Sequence, residues 1–305
     1  MNDDQARMYS RIKDVAKARN AIILAHNYQP AEIQDLADMC GDSLELSRKA
    51  AHTDADVIVF CGVHFMAETA SILCPHKTVL LPRMDAGCLM ADMITAEALA
   101  AKLATLPPMP VVTYVNSTAD VKALSTVCCT SANVVQVVNS LPENEMLLTP
   151  DRNLAMYAAS RTGKKIHIWE GYCPTHEWLR PEDVDQARAE HPGAVFIAHP
   201  ECRPEILQMA DVITSTSGML RHAAQADEKE FIIGTEQGLL YPLRKANPDK
   251  QFYPASTRLI CKNMKKIQAS DVLRCLETMT GEVKVPEAIR VPALKAVELM
   301  ISLKV

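Results

Sequence analysis

Three cysteines recur along the chain at nearly equal spacing. Cys88, Cys173 and Cys261 each follow a short apolar run, and successive members are separated by 85 and 88 residues. Thiolates are the usual protein ligands of iron–sulfur clusters. Three equivalent thiolates around one axis would hold three corners of a cubane cluster and leave the fourth iron open to substrate. An open metal position acts as a Lewis acid, which polarises a carbonyl or helps a hydroxyl group to leave.

The same cysteines are also compatible with zinc. Three cysteines and one histidine form a common zinc site, and His176 is the candidate fourth ligand. The sequence contains no CxxC pair, so spacing alone does not separate zinc from iron. The chain has ten cysteines in all. Most of the others lie in apolar segments, where we interpret them as small buried hydrophobic residues.

Small polar pairs recur with the same period. Asp42-Ser43, Thr130-Ser131 and Thr216-Ser217 are separated by 88 and 86 residues, and each precedes a helical pattern. Such side chains often cap a helix. The free N–H groups of a helix start can instead bind an anion. Three helix starts that face one centre would suit a ligand with several carboxylate or phosphate groups.

The elements that must position these residues also repeat. Apolar, β-rich runs alternate with helical patterns, which predicts parallel sheets joined by helices. Equivalent landmarks, such as the middle strands that begin at Val57, Met146 and Phe231, return every 84 to 89 residues. This period indicates an internal triplication. We predict an α/β protein of three homologous three-layer αβα units, with short parallel sheets around a pseudo-threefold axis.

The boundaries of the units fall in turn-rich stretches. The first unit, with an N-terminal helix, is predicted over residues 1–106, the second over 107–190 and the third over 191–268. Residues 269–305 are predicted to form C-terminal helices that pack on the units. Parallel sheets bind ligands at the carboxyl ends of their strands. If the units face one axis, the polar residues that follow their first strands meet in one pocket.

Composition argues against several classes of protein. The chain has 32 Lys and Arg against 37 Asp and Glu, a formal net charge of −5. Nucleic acids and anionic membranes select basic surfaces, so neither is an expected partner. No apolar run approaches the ~18 residues that span a bilayer, and the N-terminus lacks a signal-peptide pattern. We expect a cytoplasmic protein whose cysteines are thiols or metal ligands.

Nine ordered motifs, which extend from about residue 20 to residue 268, resemble those of the quinolinate synthase family. Three of them contain the repeated cysteines: Gly87-Cys88-Leu89-Met90-Ala91-Asp92, Gly171-Tyr172-Cys173-Pro174-Thr175-His176 and Cys261-Lys262-Asn263-Met264-Lys265. The others are His26-Asn27-Tyr28-Gln29, Gly41-Asp42-Ser43, Tyr114-Val115-Asn116-Ser117, Cys129-Thr130-Ser131-Ala132-Asn133, His199-Pro200-Glu201-Cys202 and Ser215-Thr216-Ser217-Gly218-Met219.

The resemblance implies a reaction and a cofactor. Members of the family have three related α/β domains and make quinolinate, the pyridine dicarboxylate precursor of NAD. Their substrates are iminosuccinate and dihydroxyacetone phosphate, and an L-aspartate oxidase or dehydrogenase would supply the iminosuccinate. One cysteine from each domain holds a [4Fe–4S] cluster whose fourth iron is open to substrate. By resemblance, these ligands are Cys88, Cys173 and Cys261.

The resemblance also implies the residues of the active site. We expect Glu201 to be the leading general base, assisted by Tyr28 and His199, with Tyr114 as a further catalytic residue. The expected substrate contacts are His26, Ser43, Tyr114, Asn116, Ser131, His199, Glu201 and Thr216, together with Ser217 from the helix-start pattern and His176 beside the second cysteine.

Three other functions share some of these features. A hydro-lyase with an open-site cluster would act on a di- or tricarboxylate without a phosphate-bearing co-substrate. A cluster-containing sensor would bind a carboxylate ligand without turnover. A zinc protein would be colourless, whereas thiolate-bound iron–sulfur centres absorb near about 400 nm.

Overall fold

A computed structural model describes residues 3–303 and contains three four-stranded parallel sheets. The first sheet consists of Ala21–His26 (β1), Met39–Gly41 (β2), Val57–Cys61 (β3) and Thr78–Leu80 (β4). The second consists of Val111–Tyr114 (β5), Val127–Cys129 (β6), Glu145–Thr149 (β7) and Lys165–Ile168 (β8). The third consists of Val195–Ala198 (β9), Val212–Ile213 (β10), Glu230–Gly234 (β11) and Gln251–Pro254 (β12).

The three sheets share one topology. In each, the first strand of the unit lies between the second and the third, and the fourth strand forms the far edge: β2-β1-β3-β4, β6-β5-β7-β8 and β10-β9-β11-β12. The middle strand β3 is buried along its whole length, as expected for an apolar strand with helices on both faces of its sheet. The predicted fold class, α/β with three αβα units and short parallel sheets, is confirmed.

Helices cover the faces of the sheets. In the first unit they are Asp3–Ala18 (α1), Ala31–Leu36 (α2), Ser43–His52 (α3), His64–Leu73 (α4) and Ala96–Leu103 (α5). The second unit contains Ala119–Ala123 (α6), Val134–Ser140 (α7), Arg152–Thr162 (α8), Pro174–Glu177 (α9) and Pro181–Glu190 (α10). The third contains Pro204–Met209 (α11), Thr216–Gln225 (α12) and Leu240–Ala246 (α13), and the C-terminal segment contains Ala269–Thr278 (α14) and Glu287–Ser302 (α15).

Two of the three polar pairs lie at helix starts, and the third precedes its helix by a turn. Ser43 and Thr216 are the first residues of α3 and α12. Thr130-Ser131 form a separate turn, because the side chain of Asn133 accepts a hydrogen bond from the backbone N–H of Thr130 at 2.8 Å. The helix α7 begins only after Asn133, so the prediction of a helix start at Thr130-Ser131 is wrong by one turn.

The two C-terminal helices pack against elements of the first and second units. α14 packs against α1, whereas α15 packs against α6 and β6 of the second unit and against α4 of the first. The three sheets lie inside the predicted unit boundaries, and the boundary positions themselves stay predictions. No helix within residues 3–303 is long and apolar enough to cross a membrane.

Candidate active site

One cavity collects residues from all three units. Its lining comprises His26, Tyr28, Asp42, Ser43 and Phe65 of the first unit, Tyr114, Asn116, Thr130 and Ser131 of the second, and His199, Glu201, Thr216 and Met264 from the chain beyond residue 190. Most of these residues end or follow a strand or lie near a helix start. The cavity therefore lies at the carboxyl ends of the sheets, where parallel sheets bind ligands.

A buried carboxylate, Glu201, lies against two histidines. Its Oε2 is 3.1 Å from Nδ1 of His176 and 3.1 Å from Nδ1 of His199, and the two imidazole rings stack with their centres 4.6 Å apart. Burial favours a higher pKa for Glu201, but the two histidines outweigh burial and hold the pKa below its usual range. Its Oε1 is buried without a hydrogen-bond partner in the described part of the chain. Glu201 is thus a carboxylate with one fixed oxygen and one free oxygen.

A chain of hydrogen bonds leads from His176 to the cavity. Nε2 of His176 lies 2.9 Å from the hydroxyl oxygen of Thr235, which lies 2.5 Å from the hydroxyl oxygen of Tyr28. Burial, followed by the charge of Glu201, raises the pKa of Tyr28 well above its usual value. The same two causes raise the pKa of Tyr114. Both phenols therefore keep their protons at neutral pH and can donate them.

Two histidines at the ends of first strands share a local geometry. The backbone N–H of Tyr28 donates to Nδ1 of His26 at 3.1 Å. The backbone nitrogen of Glu201 lies 3.3 Å from Nδ1 of His199, whose closer partner is the Glu201 carboxylate at 3.1 Å. Burial and the neighbouring His199 lower the pKa of His26 to about 3, so this ring is neutral. Because its Nδ1 accepts, its proton is on Nε2, which is available as a donor. Nε2 of His199 lies 3.1 Å from the hydroxyl oxygen of Ser131.

The helix starts join the first and third units beside the cavity. Asn27 donates from Nδ2 to the hydroxyl oxygen of Thr216 at 3.0 Å. Ser217, an expected substrate contact, donates its hydroxyl proton to the carboxylate of Glu45. Its hydroxyl therefore already has an acceptor across the boundary between units.

The three repeated cysteines lie in equivalent loops. Each follows the last strand of its unit and precedes a short helical turn, at residues 91–93, 174–177 or 263–265. Burial raises the pKa of the Cys88 thiol to about 12 and also raises that of Cys173 and Cys261, while backbone N–H groups of the following turn oppose the rise. The negative forms of Cys88 and Cys261 further raise the pKa of Cys173. The three sulfurs therefore lie within electrostatic reach of one another.

This donor set fits an iron–sulfur cluster. The three thiols are half-buried and have N–H groups directed at sulfur, and such hydrogen bonds stabilise and tune cluster thiolates. Buried carboxylates hold two of the loops: the N–H of Cys173 donates to Asp151 at 3.2 Å, and the N–H of Cys261 donates to Glu236 at 3.1 Å.

His176, the candidate zinc ligand, already has polar partners at both ring nitrogens. Its Nε2 contacts Thr235 at 2.9 Å, and its Nδ1 lies 3.1 Å from Oε2 of Glu201 and 3.2 Å from the sulfur of Cys173. The potential ligand atoms of Cys173, His176 and Glu201 lie within 4.8 Å of one another. This group could hold an ion by itself, but its histidine is positioned to orient Glu201.

Comparisons with known proteins identify the family. Residues 10–302 match the family described as NadA, quinolinate synthetase A protein. The chain is 56% identical over 299 residues to the quinolinate synthase of Geobacter sp. (strain M21), and the match covers 98% of each chain. It is 52% identical over 301 residues to quinolinate synthase 1 of Methanosarcina acetivorans, and this match covers 99% of each chain. The chain belongs to the quinolinate synthase family.

In this member of the quinolinate synthase family, the predicted substrate-contact and catalytic residues line one cavity, with the exception of Ser217 and His176. His176 lies behind Glu201, and the hydroxyl of Ser217 is bonded to a neighbouring unit. Sequence reasoning missed Thr235, Phe65 and Met264. Thr235 directly follows β11, so its place at the carboxyl end of a strand was a usable signal. Phe65 and Met264 carry no such signal, because apolar residues are common in any core.

Proposed function

We propose that the chain is a quinolinate synthase that condenses iminosuccinate with dihydroxyacetone phosphate in NAD biosynthesis. The reaction forms one C–C bond and one C–N bond and releases phosphate and two waters, so it needs no external oxidant or reductant. Family membership and full-length relatives of that name support the proposal. The observation that carries it is a single cavity, lined by residues from three units, whose Glu201 interacts electrostatically with cysteines from different loops.

The cavity is suited to a small dicarboxylate that bears an imine. The hydroxyls of Ser43, Ser131 and Thr216 line it and can donate to carboxylate or phosphate oxygens. The neutral ring of His26 adds an Nε2–H donor. The Oδ1 of Asn116 is buried and has no partner among residues 3–303, so it can accept a hydrogen bond from the imine N–H. These groups would orient iminosuccinate by its two ends.

Cys88, Cys173 and Cys261 would hold the [4Fe–4S] cluster. With three protein ligands, such a cluster supplies an open iron that acts as a Lewis acid on a substrate hydroxyl or carboxylate. The chain's own part is to keep three thiolates together in half-buried loops. The N–H groups that follow each cysteine favour its charged form against the effect of burial.

Glu201 is proposed as the general base. Its Oε2 is fixed by two histidines, whereas Oε1 is free and can remove a proton from a substrate carbon. His199 connects Glu201 to the hydroxyl of Ser131 and can pass on a proton. Tyr28 and Tyr114 retain their protons and are placed to protonate a departing hydroxyl group.

Anaerobic reconstitution, followed by iron and sulfide counting and a quinolinate assay, tests this function. We expect about four iron and four sulfide per chain, and quinolinate only when both substrates are present. Turnover of a di- or tricarboxylate without dihydroxyacetone phosphate would indicate a hydro-lyase. Ligand binding without any product would indicate a sensor, and a colourless zinc-containing protein would contradict the cluster.

We propose an L-aspartate oxidase or dehydrogenase as the source of iminosuccinate, and the cytoplasm as the site of the reaction. An imine of this kind hydrolyses in water, so the supplying enzyme must work in the same compartment. Adding either supplying enzyme, with aspartate and its oxidant, to the reconstituted protein and dihydroxyacetone phosphate should yield quinolinate. The proposal includes no nucleic-acid or membrane partner.

A further inference from the structure

A lysine is fully buried behind the cavity. Lys122 lies in α6, and its exposed fraction is 0%. Lysine is almost never fully buried unless it is paired. The Nζ of Lys122 donates to the backbone carbonyl of Ser117 at 2.5 Å. An ammonium in this position needs an explanation that the mechanism above does not supply.

Two contacts connect this ammonium to the cavity wall. Ser117, its acceptor, directly follows Asn116, which lines the cavity. On the other side, Nζ lies 5.6 Å from the ring centre of Phe65, which also lines the cavity. The charge is therefore separated from a bound ligand by one peptide segment on one side and one aromatic ring on the other. Because Phe65 belongs to the first unit, the lysine also bridges two units.

The charge balance of the site gives this ammonium a role. Among residues 3–303, the cavity lining contains the carboxyl groups of Asp42 and Glu201 but no lysine or arginine, whereas both proposed substrates are anionic. Burial lowers the pKa of Lys122, while the charges of Glu68, Cys128 and Cys88 raise it. The interaction with Cys88 places the lysine within electrostatic reach of the proposed cluster as well.

We infer that Lys122 is a positioning residue of this enzyme: its buried ammonium fixes the Asn116 turn and the Phe65 ring and supplies a positive charge that favours a dianion in the cavity. The inference rests on the proposed function, because that function defines the ligand as a dicarboxylate. A lysine of purely structural value would stabilise the fold without distinguishing a charged ligand from a neutral one.

The chain offers a matched control in Lys250. This lysine is 8% exposed, and its Nζ also lies 5.6 Å from an aromatic ring, that of Phe231. It donates to the carbonyl of Ala223 at 2.7 Å, near the C-terminal end of α12. The cavity residue of that helix, Thr216, is at the opposite end. Lys250→Met thus removes a buried lysine and its hydrogen bonds away from the ligand.

The test uses reconstituted holoenzyme and two probes, the dianion succinate and its uncharged diamide succinamide. Binding is measured by anaerobic calorimetry for the wild type, Lys122→Met and Lys250→Met. We expect Lys122→Met to weaken succinate binding by about tenfold or more and succinamide binding much less. Its cluster should be reduced at a more negative potential, because a nearby positive charge favours the added electron. Lys250→Met should bind both probes and keep the potential as the wild type does.

Each remaining outcome decides the question. Unchanged succinate binding and cluster potential in folded Lys122→Met overturn the inference. An equal loss of affinity for succinate and succinamide also overturns it, because that result indicates a structural role. If Lys122→Met does not fold, Lys122→Gln keeps a donor for Ser117 without the charge. Failure of both variants to fold overturns the inference in favour of a folding role. A wild type that makes no quinolinate and binds no succinate contradicts the proposed function itself.

Discussion

The chemistry of the site depends on a difference between the two carboxylate oxygens of Glu201 in their hydrogen-bond partners. Two imidazole nitrogens contact Oε2 at 3.1 Å each, and Oε1 has no partner among residues 3–303. A buried carboxylate without such contacts would take up a proton, because burial disfavours the charged form. His176 and His199 keep Glu201 ionised, and His176 is itself held by Thr235. The proposed base is therefore ionised before any substrate arrives.

Glu201→Gln should lower kcat by at least about 100-fold, because an amide cannot accept the proton that a general base removes. The cluster should still assemble, since Glu201 is not one of the three proposed ligands. Iron and sulfide counts and the rate of quinolinate formation check both parts. Glu205→Gln is the matched control, because Glu205 is partly exposed and pairs with Arg203 on the surface. Full turnover by Glu201→Gln with an intact cluster would exclude Glu201 as the base.

Buried histidines also predict how stability depends on pH. Burial lowers the pKa of His26 from 6.5 to about 3 in the folded state. Between these values the unfolded chain binds the proton and the folded chain does not, so stability falls as the pH falls from about 6.5 towards 3. The titration of His26 alone should lower the free energy of unfolding by about 2 kcal/mol when the pH falls from 7 to 5.

His26→Gln removes this titrating group and should reduce the pH dependence by that amount. The measurement is the urea unfolding midpoint of wild type and variant at pH 7, 6 and 5. Only the difference between pH values is compared, because the substitution itself can change stability at every pH. If the unfolding midpoints of the two proteins fall equally between pH 7 and pH 5, the His26 ring is protonated in the folded state.

At the level of elements, three lysines repeat with the period of the units. Lys77, Lys164 and Lys250 are separated by 87 and 86 residues, and each directly precedes the last strand of its unit. Each donates to two backbone carbonyls at or near the C-terminal end of the helix that follows a polar pair. Cations at helix C-termini satisfy free carbonyls and complement the helix dipole. The three units thus anchor α3, α7 and α12 in the same way.

Lys250→Met should lower the free energy of unfolding by about 2 to 4 kcal/mol, because it leaves the carbonyls of Ala223 and Ala226 without their charged donor. Lys229→Met is the control, because Lys229 is exposed and pairs with Asp249 on the surface. That control should change stability by less than about 0.5 kcal/mol. Urea unfolding of both variants checks the difference, and equal midpoints would contradict the anchoring role.

The sequence predicted some of the strands and missed others. Apolar runs such as Val57–Cys61 predicted the inner strands, because burial on both faces demands a continuous apolar segment. The second strands, such as Val212–Ile213, were missed because two or three residues at a sheet edge leave no pattern. In each unit a side chain supports this edge. Asp38 accepts from the N–H of Ile23 and Asp211 from that of Phe196, both at 2.8 Å, and the hydroxyl of Thr126 accepts from the N–H of Val111 at 3.0 Å.

For the whole molecule, the period located the cysteines and polar pairs, but it could not reveal contacts between units. The stacking of His176 on His199 depends on how the second and third units meet, and the burial of Lys122 depends on the first and second. Such contacts arise from the relative placement of the units, which no local pattern encodes. The resemblance anticipated the residues of the cavity, and the structure adds how they are held.

The three units should depend on one another for the cofactor. Cys88→Ser, Cys173→Ser and Cys261→Ser should each abolish assembly of the full cluster, because each removes one of three thiolates and a hydroxyl is a poor substitute ligand for iron. Cys40→Ser is the matched control: its sulfur donates to the carbonyl of Gln34 at 3.3 Å, a bond that serine can also make. Iron, sulfide and the absorbance near about 400 nm, measured after anaerobic reconstitution, check the four variants. Removal of the cluster from the wild type should also lower its unfolding midpoint, because the cluster binds the folded state in which three loops meet. A full cluster in any of the three ligand variants would show that the three loops do not share one cofactor.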